Sequence, residues 1–170
     1  MRLRPYKPAD ADTILSWVRD EDTFRKWVTD RYPHYPITPA EMNEKYFVHN
    51  GDCPEPDNFY PMTACDENGI LGHLILRFTD EQKETIRFGF VIVDNARRGQ
   101  GCGKGMLRLA VQYAADFLKA KKITIGVLDN NPGAYHCYLS VGFRETPQSE
   151  PVYYTLLGQR VRCIELEMDV

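Results

Sequence analysis

The stretch from residue 91 to residue 106 constrains the fold of this chain more than any other. Glycine takes every second position from Gly99 to Gly105, between an apolar run and the most regular helical pattern in the sequence. In that pattern, apolar side chains recur at helical spacing: Met106, Leu109, Ala110, Tyr113, Ala114 and Phe117. The stretch therefore predicts a strand, a glycine-rich turn and an amphipathic helix of about four or five turns.

Hydrophobic patterns elsewhere predict further strands and helices on both sides of this unit. Predicted strands cover 2–4, 60–65, 70–78, 85–93, 123–128, 152–157 and 160–167. Predicted helices begin near residue 10, span 23–28 and 40–48, and run from 132 to 141. The order is βαα–βββ–α–β–α–ββ, which is an α+β domain. The short connections between residues 60 and 93 favour an antiparallel meander.

Capping and turn signals predict several element ends. Asp10 or Asp12 offers an N-cap to the first helix. The pair at 131–132, Asn-Pro, gives an N-cap and a first helical residue, and Gly142 ends that helix. The pair at 158–159, Gly-Gln, fits a type II′ turn between the last two strands.

Length and composition favour one globular domain over residues 1–170. The 21 basic and 24 acidic side chains give a net charge of -3, whereas a protein that coats nucleic acid is expected to be basic. No apolar run approaches the ~20 residues that cross a bilayer, and no signal core follows the first residues. Five scattered cysteines without a C-x-x-C pair favour reduced thiols. These features predict a cytoplasmic protein that binds neither membrane nor nucleic acid.

Residues 31–59 form the least regular part of the chain. Six of the eleven prolines lie between residues 29 and 61, yet this region is too rich in aromatic residues for a flexible linker. We therefore predict an ordered, aromatic-lined excursion. A metal at His49, Cys53, Cys65 and His73 is disfavoured, because zinc ligands usually come in tight pairs and only a loose His-x3-Cys is present.

The glycine-rich stretch has the properties of a phosphate site. Glycine lets the backbone approach a ligand closely, and a helix N-terminus offers free N–H groups and a positive dipole end. Arg97, Arg98 and Lys104 add positive charge. The Gly-Lys pair at 103–104 is not followed by Ser or Thr, and no Gly-x-Gly-x-x-Gly series is completed, so neither common phosphate motif is present.

With this site, the sequence resembles the GNAT superfamily of acyl-CoA-dependent N-acetyltransferases. Their signature, Arg/Gln-x-x-Gly-x-Gly/Ala, is matched by residues 98–103, Arg-Gly-Gln-Gly-Cys-Gly. A second family pattern is matched by Asn131, Ala134, Tyr138 and the Gly-Phe pair at 142–143. Both patterns stand in the family's order, separated by the expected helix and strand.

The resemblance covers residues 60–168, while 1–30 look like the family's opening strand and helices, and 31–59 match no part of it. One departure is Asn95, where many members carry proline. The implied fold is an α/β/α domain with a mixed, mostly antiparallel sheet of six to seven strands, splayed between strands four and five. Gly89 would mark a bulge that starts the splay. Residues 31–59 would then lie on the substrate side.

The implied co-substrate is acetyl-CoA, with no metal. Its pyrophosphate would lie on the glycine loop, and its pantetheine arm would pair with the edge of the fourth strand. The implied binding residues are Val91, Ile92, Val93, Arg98, Gly99, Gln100, Gly101, Cys102, Gly103, Lys104 and Asn131. Asn131 would contact the pantetheine or serve only as a helix cap.

Tyr138 is the predicted catalytic acid. Acetyl transfer from a thioester to an amine leaves a CoA thiolate, and a tyrosine with a pKa near 10 can donate a proton to it at neutral pH. The commoner role of a tyrosine on a helix face is core packing. For the base that deprotonates the amine, Glu84 is the nearest carboxylate, and a water relay or His73 are alternatives.

The chain is therefore expected to acetylate a primary amine of a small molecule, a protein N-terminus or a lysine. A non-catalytic acyl-CoA sensor on the same scaffold is the alternative, and Tyr138 disfavours it. A nucleotide-binding module of another fold would need the glycine loop in a parallel sheet. The oligomeric state stays open, with a homodimer among the options.

Overall fold

The computed structural model describes residues 1–148 and 150–170. Its strands are β1 (Arg2–Pro5), β2 (Tyr60–Asp66), β3 (Gly69–Phe78), β4 (Thr85–Val93), β5 (Lys122–Leu128), β6 (Arg144–Glu145), β7 (Val152–Leu156) and β8 (Gln159–Asp169). Its helices are α1 (Asp10–Ser16), α2 (Glu21–Val28), α3 (Pro39–Phe47), α4 (Cys102–Asp116) and α5 (Pro132–Val141). None of these helices is long and apolar enough to cross a membrane.

All eight strands form one sheet in the order β1-β2-β3-β4-β5-β8-β6, with β7 also paired to β8. Neighbouring strands are antiparallel except β4 and β5, which run parallel. The predicted mixed, mostly antiparallel sheet is therefore confirmed, but it has eight strands in place of the predicted six to seven. The strand that the sequence did not reveal is β6, because two exposed residues carry no alternating pattern.

The sheet has a separate core on each face. The α4 and α5 helices cover one face with aliphatic residues such as Met106 and Leu107. The α1–α3 layer covers the other face with a cluster rich in aromatic side chains, including Phe24, Trp27, Tyr32 and Tyr46. Segment 31–59 supplies part of this second core and contains α3.

The gap between β4 and β5 is the feature that positions the site. The two strands pair only from Thr85 to Phe88, and then separate. In the same region β4 carries one extra residue relative to β3, and Phe90 takes the left-handed conformation at a φ of 48°. The bulge thus lies just after Gly89, where it was predicted, and the Trp27 indole donates a 2.8 Å hydrogen bond to the Phe90 carbonyl oxygen.

One predicted helix cap and one predicted turn differ from the structure. Asp10 does not cap α1 but is its first residue, because its carboxylate is taken by Arg4 at 2.7 and 2.9 Å and by Thr63 at 2.8 Å. The last hairpin turns one residue earlier than predicted, at Leu157 and Gly158. Both have positive φ (51° and 74°), which is typical of a type I′ rather than a type II′ turn.

Candidate active site

A cleft of about 700 Å³ opens where β4 and β5 separate. The end of β4, the glycine loop, the first turns of α4, most of α5 and part of α2 line it. The predicted catalytic acid, Tyr138, lines this cleft. So do ten of the eleven predicted cofactor-binding residues: Val91, Ile92, Val93, Arg98, Gly99, Gly101, Cys102, Gly103, Lys104 and Asn131. Gln100 is not in the lining, because its side chain turns back to donate to the Ala96 carbonyl oxygen at 3.0 Å.

The glycine loop presents backbone donors to this cleft. Gly99 and Gly101 have φ values of 75° and 79°, a conformation that favours glycine. Gly101 stands at the N-cap of α4 without a side-chain cap, and the Gly105 N–H donates to its carbonyl oxygen at 2.9 Å. The N–H groups of residues 102–104 therefore have no partner among the described residues. Free donors at a helix N-terminus are suited to an anion such as a pyrophosphate.

The glycine at position 103 leaves room for a ligand, and its backbone conformation does not require glycine. A Cβ atom built on it would lie 3.5 Å from Cys137 Sγ and 3.6 Å from a Val93 methyl, which are ordinary contacts. The protein itself would tolerate a side chain there. Because Gly103 lines the cleft, that side chain would occupy the volume offered to a ligand.

Two of the three predicted cations point to the cleft. Arg98 and Lys104 line it, and the described chain places no carboxylate within ion-pair distance of either. Arg97 instead forms an ion pair with Asp66 at the end of β2, which lowers the pKa of Asp66. The positive charge available to a phosphate therefore comes from Arg98, Lys104 and the helix N-terminus.

A second cavity, of about 150 Å³, lies on the other side of the gap. The two cavities share a wall made of Lys26, Trp27, Val91, Asn131 and Tyr138. A ligand in one cavity can therefore meet a ligand in the other at the point where β4 and β5 separate. Sequence reasoning had not singled out Lys26 for the cleft, because α2 is far from the glycine loop along the chain.

Tyr138 stands at this shared wall. Its side chain is 6% exposed, and its hydroxyl forms no hydrogen bond with any described residue. Burial raises the pKa of Tyr138 above its usual value, with the neighbouring Cys137 as a smaller cause. The phenol is therefore protonated at neutral pH and free to donate into either cavity.

Asn131 caps α5 and also lines both cavities. Its Oδ1 accepts from the Ala134 N–H at 3.3 Å, as the Asn-Pro pair predicted. A contact with a pantetheine arm stays a prediction. The cap is compatible with it, because the cap uses Oδ1 and the side-chain amide also has its nitrogen, Nδ2.

Neither named candidate for the base lies at the cleft. Glu84 precedes β4, at the opposite end of the strand from Val91, and pairs with Lys121. His73 is fully buried, and its Nε2 lies 2.8 Å from the Tyr46 hydroxyl. Burial lowers the pKa of His73 to about 3. Neither residue therefore lines the cleft. Of the predicted alternatives for the base, the water relay is the one that stays.

The four residues considered for a metal do not form a site. Cys65 and His73 are buried on β2 and β3, while His49 lies at the surface near Glu44. Across residues 1–148 and 150–170, no group of three or more His, Cys, Asp and Glu side chains is placed to hold a metal ion.

The chain matches a known family. A family model described as an acetyltransferase (GNAT) domain matches residues 1–144. The chain therefore belongs to the GNAT acetyltransferase family, as the two sequence patterns predicted.

Several individual proteins are also similar to the chain. A spermine/spermidine N(1)-acetyltransferase of Bacillus subtilis (strain 168) is 28% identical over 98 residues, which cover 55% of this chain and 64% of that protein. A probable spermine N(1)-acetyltransferase of Bacillus subtilis subsp. natto (strain BEST195) matches with the same identity and coverage. The chain thus spans just under two thirds of the length of these relatives.

Among solved structures, the spermidine N-acetyltransferase from Vibrio cholerae in complex with CoA and spermine superposes with a TM-score of 0.80. It is 20% identical, over 98% of this chain and 94% of that one. The smu.2055 protein from Streptococcus mutans UA159 gives a TM-score of 0.71 at 18% identity, over 99% of both chains. At these identities the likeness shows the shared fold.

Proposed function

We propose that this protein, as one domain over residues 1–170, transfers an acetyl group from acetyl-CoA directly to a primary amine. The observation that carries the proposal is the meeting of two cavities at the β4–β5 gap, with the protonated Tyr138 in their shared wall. Family membership supports the same reaction, as do the relatives, whose names describe acetylation of spermine and spermidine.

In this proposal the larger cavity takes the co-substrate. The pyrophosphate binds the N–H groups at the start of α4, with Arg98 and Lys104 beside it. The pantetheine arm pairs with the edge of β4 beyond Phe88, where β5 has separated from it. The thioester then lies near Tyr138 and faces the smaller cavity.

The chemistry conserves charge and protons. The amine lone pair attacks the thioester carbonyl carbon, and collapse of the tetrahedral intermediate breaks the carbon–sulfur bond. Tyr138 donates its proton to the departing sulfur, and the proton lost by the amine nitrogen returns to the tyrosinate through water. The products are an N-acetylated amine and CoA with a free thiol.

Calorimetric titration with acetyl-CoA tests the co-substrate site. We expect Gly103→Asp to weaken binding by about 100-fold or more, because it fills the cleft and places a carboxylate next to the pyrophosphate. Gln112→Glu, on the exposed side of α4, adds the same charge outside the cleft and serves as the control.

A thiol-release assay over a panel of primary amines tests the reaction. Failure of the folded wild-type protein to bind acetyl-CoA would overturn the proposal. Binding without acetyl transfer to any amine would instead favour the acyl-CoA sensor.

A further inference from the structure

The floor of the smaller cavity carries two arginines placed directly opposite each other. Arg77 on β3 and Arg87 on β4 are register partners, and both line the cavity. Like charges at opposed positions of an antiparallel pair destabilise the sheet. A negative charge between or beside the two guanidinium groups would stabilise this arrangement.

Only Arg87 has such a partner within the described chain. Glu165 on β8 accepts from its two terminal nitrogens at 2.7 and 2.8 Å. The pair reaches across β5 at Gly126, where a Cβ atom would lie 2.6 Å from an Arg87 nitrogen. No carboxylate of residues 1–148 or 150–170 lies within 4.0 Å of Arg77.

The remaining charges of the cavity do not supply the missing anion. Its lining holds four cations, Lys26, Arg31, Arg77 and Arg87, and one carboxylate, Asp52. Asp52 is already paired with Lys45 at 2.5 Å, and Lys26 with Asp22 at 2.7 Å. The guanidinium group of the partly buried Arg77 therefore stays unmatched among the described residues, as does that of Arg31, which is exposed. Composition does not explain this excess, because the whole chain carries a net charge of -3.

We propose that the acceptor amine is a small molecule that also carries an anionic group, a carboxylate or a phosphate, bound by Arg77 and Arg31. This inference rests on the proposed acetyl transfer and names its acceptor class. A guanidinium group matches either anion with two parallel hydrogen bonds. A polyamine would bring further positive charge to this floor, where it would meet repulsion instead of a free carboxylate.

The geometry also sets the spacing of the two groups in the acceptor. The amine must reach the shared wall near Val91, while the anion lies toward Arg77, opposite Arg87. Arg87 and Val91 are four residues apart on β4, which is at most about 13 Å in a regular strand and less here because of the bulge after Gly89. The arginine side chain spans part of this distance, so acceptors of several lengths need to be compared.

The experiment measures kcat/KM for matched amines at saturating acetyl-CoA. The carboxylate arm pairs glycine, 4-aminobutyrate and 6-aminohexanoate with their amides. The phosphate arm pairs phosphoethanolamine with ethanolamine, and spermidine represents the polycations. We expect at least one anionic amine to exceed its uncharged counterpart by about tenfold or more, and to exceed spermidine.

Arg77→Gln tests the residue itself. We expect it to reduce the preference for the anionic amine about tenfold, mainly through KM, while the uncharged amine changes little. Arg108→Gln removes the same charge from the exposed side of α4, outside both cavities, and is expected to keep the preference. Retention of acetyl-CoA binding by both variants shows that they are folded.

A preference for spermidine or for the uncharged amines would overturn the inference and leave acetyl transfer intact. A preference for anionic amines that Arg77→Gln does not reduce would also overturn the inference. A panel with turnover in which no anionic amine exceeds its counterpart has the same consequence. A panel without any turnover also overturns the inference, and with retained acetyl-CoA binding it favours the acyl-CoA sensor. Loss of acetyl-CoA binding by the wild-type protein would separately overturn the proposed function.

Discussion

The two sides of the β4–β5 gap are built in different ways. The larger cavity depends mainly on backbone groups and glycines from one continuous stretch, 91–104, to which α5 and four residues of α2 add side chains. The smaller cavity depends on residues from α2, the segment after it, and strands β3, β4, β5, β7 and β8. A site made of backbone can be encoded by a short motif, whereas a site made of distant side chains depends on the whole fold. This is why the sequence indicates the co-substrate but not the acceptor.

The largest effect is expected at the wall that the two cavities share. Tyr138→Phe removes one hydroxyl and keeps the ring packed beside Phe143. If the phenol donates the proton to the departing sulfur, kcat falls by about 100-fold or more, while the dissociation constant of acetyl-CoA changes less than about twofold. Single-turnover kinetics and calorimetry measure the two quantities. Full activity of Tyr138→Phe would assign the residue to the core instead.

A second prediction contrasts the cores behind the two cavities. The core behind the acceptor side contains the buried His73, stacked on Tyr46, whereas the α4–α5 core consists of apolar residues and Tyr138. Because burial lowers the pKa of His73 to about 3, the unfolded chain binds a proton near pH 6.5 that the folded chain does not. The free energy of unfolding therefore falls as the pH drops from 6.5 toward 3, by about 2 kcal/mol at pH 5.

Denaturant unfolding at pH 7.5 and pH 5 measures this loss. In His73→Gln the difference between the two pH values is expected to shrink by about 2 kcal/mol, while His49→Gln, at an exposed site, keeps it. The lowered pKa of Asp10 acts in the same direction, but only near and below the ordinary aspartate pKa of about 3.9. An unchanged pH dependence in His73→Gln would show that this histidine does not control the acid stability.

The contrast between the cavities also explains which features the sequence could predict. The glycine loop, the helix α4 and the cap at Asn131 follow from local patterns, and the structure places them together. The opposition of Arg77 and Arg87 follows from strand register, which the alternation of single strands does not fix to one residue. Glu84 was selected because it directly precedes β4 in the sequence. It lies at the Thr85 end of that strand, however, whereas the cleft lies at the Val93 end, a full strand length away.

The smallest effect is expected at Asn131, where capping and ligand binding can be separated. Asn131→Ala removes the hydrogen bond to the Ala134 N–H and is expected to cost about 1 kcal/mol of unfolding free energy. Asn131→Ser keeps a capping oxygen and is expected to retain most of that stability, but it lacks the side-chain amide group. Comparison of acetyl-CoA binding by the two variants isolates the amide. Weaker binding by Asn131→Ser at unchanged stability assigns the amide to the pantetheine arm, whereas wild-type binding assigns Asn131 to the helix cap alone.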